Sequence, residues 1–118
     1  MKPEFRKELE DWGVNFAEAN ERFMGNEEML EKFLKKFLTD PNMEALENAL
    51  NASDAKEAFK ACHALKGVAG NLSLEGFKGQ VMDLTEILRA DRLDGTKELF
   101  DAIKPKYDAL IAILTKYE

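Results

Sequence analysis

Apolar residues recur at three- and four-residue intervals along almost the whole chain, which is the period of an α-helix. No stretch alternates apolar and polar positions for long enough to predict a strand. Pro3 and the charged residues up to Asp11 predict a short leading helix that ends near Gly13. Val14 to Met24 reads as a second short helix, closed by Gly25. Asn26 then supplies an N-cap, with Glu27 and Glu28 in a first turn whose dipole favours anions. That helix carries Leu30, Phe33, Leu34, Phe37 and Leu38 on one face and stops before Pro41. Met43 to Leu50 forms another short helical piece.

Three longer segments follow. Asp54 and Glu57 make a capping-box-like start for a helix running to about Ser73, with Ala58, Cys62, Leu65, Ala69 and Leu72 as its apolar stripe. The next helix repeats the spacing through Leu74, Phe77, Val81, Leu84 and Leu88. Asp94-Gly95-Thr96 is a turn and cap for the last one, striped by Leu99, Ile103, Tyr107, Leu110, Leu114 and Tyr117. Because that stripe passes through Pro105 unbroken, one kinked helix is expected there rather than two. Sustained 3-4 spacing with short connections implies an all-α fold, an antiparallel up-and-down four-helix bundle with short additional N-terminal helices. Residues 1–118 suit one domain, with no linker or internal repeat between them.

Composition narrows the function classes. The chain is 45% hydrophobic and 34% charged, as expected of an ordinary globular fold. Its net charge of −6 gives no clustered cationic surface for nucleic-acid phosphates. The longest apolar run, Ala109 to Leu114, is far below the roughly 20 residues of a membrane span. The first residues, MKPEFRKELEDW, contain no apolar signal core. A single cysteine precludes an internal disulfide, and a single histidine precludes any site needing two His ligands. A cytoplasmic, monomeric, free-standing module without metal or cofactor of its own is the expectation from these absences.

The helix from Asp54 to Ser73 is unusual. At about 100° per residue, His63 lies roughly 150° from the centre of the apolar stripe and points at solvent. Phe59 and Lys60 sit one turn before it, Lys66 and Gly67 one turn after, and Gly70 a turn further. Each mid-helix glycine loses about 1 kcal/mol against alanine, so two on one face need a reason. A helix face stripped of side chains lets another macromolecule come close to the imidazole. A small ligand would instead require concave walls. Neutral imidazole is a nucleophile at phosphorus, and a nearby ammonium offsets phosphoryl charge. Lys66 supplies such a cation at i+3, and Lys60 at i−3 can add to it.

The run His63-Ala64-Leu65-Lys66-Gly67-Val68-Ala69-Gly70-Asn71-Leu72 resembles the H-x-L-K-G-x-A-x-x-L signature of histidine-containing phosphotransfer domains. The resemblance takes in the upstream RFMGNEEMLEKFLKKF segment and the Leu74–Leu88 helix. It implies that His63 is the phosphorylated residue, Lys66 the phosphoryl-stabilising cation and Gly67 the clearance for the partner. Phe59, Lys60 and Gly70 around the histidine are candidate partner contacts, with the core edge as the alternative place for Phe59 and helix packing as the alternative role of Gly70. The partners that the resemblance implies are response-regulator receiver domains, whose aspartate and bound Mg²⁺ supply the transfer chemistry, together with a hybrid sensor histidine kinase. Ser73 departs from the family pattern, which usually has glycine at this helix end. Thr85 is the expected polar neighbour of the histidine on the following helix.

Blander assignments cover other conspicuous residues. Adjacent helical residues diverge by about 100°, so Cys62 belongs to the core and shares no ligand point with His63. Met24, Met29 and Met82 read as bundle filling, with an edge of the docking surface as the alternative for one of them. Two other functions fit the same bundle: an adaptor that binds receivers through a vestigial histidine, and a small hydrolase using His63 as base. Lys66 and Gly67 beside His63 speak against the first, and the lack of a convergent pocket motif speaks against the second.

Overall fold

The structure, a computed structural model, describes all residues from Met1 to Glu118. Its helices are α1 (Pro3–Trp12), α2 (Phe16–Arg22), α3 (Glu27–Lys36), α4 (Asn42–Asn51), α5 (Ala55–Asn71), α6 (Glu75–Arg89) and α7 (Thr96–Lys116). A 3₁₀ turn, Phe37–Thr39, finishes α3 before Pro41. The caps that the sequence predicts are formed where they were expected. The Asn26 side chain accepts from Met29 N at 3.0 Å, and that of Asp54 accepts from Glu57 N at 3.1 Å. Gly95, in the left-handed region at φ 78, turns the chain into α7, which runs through Pro105 as one helix.

The fold is all-α and contains a four-helix bundle built from α4 to α7. Successive helices pack on each other, and α4 also meets α7. The short Met43–Leu50 piece is thus a wall of the bundle, burying Met43, Leu46, Ala49 and Leu50. The predicted stripes of α5 and α6 are buried at every position. One core cluster of 27 residues draws on all seven helices.

Several sequence expectations need correction. The second helix is shorter than Val14–Met24. Asn15 caps it, and Met24 stands beyond its end at φ 55. Met24, Met29 and Met82 do not fill the bundle: they are 93%, 47% and 44% exposed. Phe33 is also exposed, at 40%, with its ring stacked on that of Phe23, centroids 5.6 Å apart. α5 stops at Asn71, two residues before Ser73. Ser73 instead takes the left-handed conformation at φ 55 that a glycine would adopt easily. Its buried hydroxyl donates to Glu18 and accepts from Arg22, both at 3.0 Å, so hydrogen bonds offset the strain.

The N-terminal helices are tied to the bundle by backbone. Val14 and Leu74 form an isolated antiparallel bridge, Asn15 N donates to Ser73 O at 3.0 Å, and Gly76 N donates to Gly13 O at 3.2 Å. The Trp12 indole donates to Lys106 O at 2.8 Å on α7. This splice holds the α5–α6 turn.

Candidate functional site: the exposed face of α5

α5 separates two surfaces. Ala58, Ala61, Cys62, Leu65 and Ala69 face the core. Lys56, Lys60, His63, Ala64, Gly67 and Asn71 are exposed on the other side. The sequence reading of the histidine face therefore holds in space: the imidazole is on the surface, halfway along a helix fixed by its buried stripe. Gly67 is exposed one turn on, and a Cβ built there or at Gly70 would meet nothing within 4 Å. Nothing in the chain's own packing excludes a side chain at either position.

The cations around the imidazole differ in their freedom. Lys60 is held by Glu57 at 3.2 Å on the exposed surface. Lys66 is half-buried and close enough to lower the Cys62 thiol pKa coulombically, while it pairs with no carboxylate. Lys56, two turns before His63, is also unpaired, so Lys66 is the unpaired cation nearer in sequence to the imidazole. The backbone of Gly70 has a second role, since its carbonyl accepts a hydrogen bond from Arg22 at the end of α5.

Two neighbours of His63 lie differently from expectation. Thr85 is fully buried and so does not border the exposed imidazole. Its hydroxyl donates to Val81 O at 2.7 Å, one turn back on α6, and lies 3.2 Å from Cys62 Sγ. The residue it meets is thus the core-facing neighbour of His63, because adjacent positions on α5 point to different sides. Burial pushes the Cys62 thiol pKa up, against smaller lowering effects from Thr85 and Lys66, so at neutral pH it stays protonated and unreactive. Phe59 is half-buried against the core and stacks on His63, with ring centroids 5.5 Å apart and planes within 20°. On its α6 side the Arg89 guanidinium lies 5.1 Å from the Phe59 centroid.

No three His, Cys, Asp or Glu side chains come together as a metal-binding group. The largest cavity, about 540 Å³, opens between α2, α3 and the end of α5, with Phe23, Phe33, Val68 and Leu72 among its lining residues. His63 is not part of it. What α5 presents is a convex, sparsely covered helix surface carrying one imidazole and the unpaired ammonium groups of Lys56 and Lys66.

A family model for the Hpt domain matches residues 28–113. The chain belongs to the Hpt family. Comparison with curated proteins and with solved structures gives no match. The four-helix bundle is the Hpt architecture, and the matched residues include the whole of α4, α5 and α6 and most of α7. Hpt domains carry phosphoryl groups on histidine in phosphorelay signalling. His63 is the only histidine of this Hpt chain. No helix is long and apolar enough to cross a membrane. Sequence reasoning left out Arg89. Phe59 and His63 were legible as an i, i+4 aromatic pair, but no local signal connects either to a residue on another helix.

Proposed function

We propose that this protein is a phosphocarrier: His63 takes a phosphoryl group from the aspartyl phosphate of one receiver domain and passes it to another. The observation that carries this reading is an exposed imidazole beside Gly67, whose missing side chain the fold itself does not require. In the transfer, the unprotonated imidazole nitrogen attacks phosphorus. An N–P bond forms as the P–O bond to the partner's aspartate breaks, and that aspartate leaves as a free carboxylate. The return transfer reverses these steps. Lys66 offsets charge on the equatorial oxygens, and the Mg²⁺ bound by the partner receiver supplies the remaining compensation. The chain has no acid or base poised to drive the reaction alone, so it acts as a carrier and not as an enzyme. It acts as a cytoplasmic monomer in which residues 1–118 form one module.

Partner docking covers Phe59, Lys60 and Gly70 around the histidine. The exposed Phe33 on α3, which lines a cavity together with Val68 and Asn71 of α5, extends the same contact. The kinase that charges the relay is a hybrid sensor kinase ending in such a receiver. Incubation with a phosphorylated receiver tests the reading. An acid-labile, base-stable adduct on the wild-type chain, absent from His63→Gln, is the expected result. An adduct on His63→Gln would reject the site. A receiver complex without any adduct would favour an adaptor.

A further inference from the structure

Phosphoryl transfer is governed by positioning, with the reacting atoms about 3–3.5 Å apart and in line. On a bare helix surface the imidazole would be free to rotate among its rotamers, and most of them would aim the nucleophilic nitrogen elsewhere. Here one face of the ring is occupied. Phe59, one turn earlier on α5, stacks on it, and Phe59 is itself packed on the core. Arg89 reaches across from α6 to the Phe59 ring, while its Nε is held by Glu86 at 3.3 Å. The result is a chain of contacts from one helix to the other that ends on the histidine. Stacking covers a face of the imidazole and leaves open the ring edge, where both nitrogens lie.

We propose that Phe59, backed by Arg89, is a positioning residue that fixes the orientation of the His63 ring so that a nitrogen faces the incoming phosphoryl group. The proposal rests on the phosphotransfer reading above, in which Phe59 also borders the docking surface, so uptake from phosphoramidate, which needs no docking, reads the effect that Phe59 exerts through His63. The pair also explains why a bulky aromatic stands next to a histidine on a face otherwise cleared by Ala64 and Gly67.

Because the chain has one histidine, its ring C–H resonances are free of overlap, and an aromatic ring stacked on it shifts them upfield. The test compares the wild type with Phe59→Leu, Phe59→Tyr and Arg89→Ala in two measurements. One records the His63 ring resonances, and the other the rate of phosphoryl uptake from phosphoramidate and from a phosphorylated receiver. Phe59→Leu keeps apolar packing but removes the ring: the resonances are expected to move downfield and uptake to fall about tenfold. Phe59→Tyr should restore both, and Arg89→Ala should give a partial change in both. Unmoved resonances in Phe59→Leu, or moved resonances with wild-type uptake, would overturn the proposal. Wild-type protein that takes up nothing from either donor rejects the phosphotransfer reading instead, and the resonance comparison still decides whether Phe59 holds the ring.

Discussion

A methyl group at Gly67 would meet nothing within 4 Å, although the residue sits inside a 17-residue helix. Alanine there should raise the unfolding free energy by about 1 kcal/mol through helix propensity alone. A chain selected only for stability would be expected to carry it. The cost is explained if a partner must approach this surface, and that can be measured. Gly67→Arg should fold as well as Gly67→Ala by chemical denaturation but accept phosphoryl groups from a receiver more than tenfold more slowly. Receiver transfer at the wild-type rate in Gly67→Arg would remove the clearance role. Cys62, one residue before the histidine, makes the opposite case. Its fully buried thiol, with its pKa raised by desolvation, should resist alkylation in native buffer and react stoichiometrically once the chain is unfolded. Rapid labelling of the native protein, read by mass spectrometry, would show that α5 opens locally.

At the scale of elements, the end of α5 is held by a second helix. Arg22 on α2 donates to Gly70 O and to Ser73 Oγ, and its other amino group contacts Glu18 at 3.2 Å. The Ser73 hydroxyl and Arg22, in that order, hold the Glu18 carboxyl below the ordinary glutamate range. A lowered folded value means that the unfolded chain binds this proton more readily. The stabilisation is therefore present above about pH 4.3 and is lost as pH falls through the lowered value. Glu18→Gln should accordingly lower stability at neutral pH and change little below the lowered value, which flattens the acid limb of a stability–pH curve. An unchanged acid limb would show that Glu18 is not linked to folding. Ser73→Ala keeps the positive φ but loses both hydrogen bonds, and should cost about 1–2 kcal/mol at pH 7. The sequence made α5 and its cap legible because period and capping are local properties. It could not show that Ser73 replaces the usual glycine through partners on α2, 51 and 55 residues away. For the same reason Thr85 was assigned to the histidine. Its facing side depends on how α6 is rotated against α5, which periodicity on either helix leaves undetermined to within a turn.

The whole molecule is an elongated body of 42 × 25 × 21 Å. The family match begins at residue 28, yet α1 and α2 are part of the same core through Phe5, Leu9, Phe16 and Ala19. Their attachment also includes a close backbone approach that hydrophobic patterning does not reveal. Gly13 has φ 130, and a Cβ there would lie 2.6 Å from the Gly76 backbone. A Cβ at Gly76 would lie 2.6 Å from Trp12 O. Both backbones must therefore separate if either glycine gains a side chain, weakening the Gly76–Gly13 hydrogen bond and the neighbouring bridge between Val14 and Leu74. Gly79, one turn further along α6, provides the control, because a Cβ there meets open space. Gly79→Ala should stabilise the chain by about 1 kcal/mol, whereas Gly76→Ala should destabilise it by about 1–3 kcal/mol despite the same gain in helix propensity. Urea unfolding followed by circular dichroism separates the two, since the midpoints should move in opposite directions at similar slope. The His63 face should keep its function in Gly76→Ala at low temperature, because the stripe that orients α5 lies within the bundle. Equal midpoints for Gly76→Ala and Gly79→Ala would mean that the N-terminal helices are held by side-chain packing alone and that the backbone splice contributes nothing.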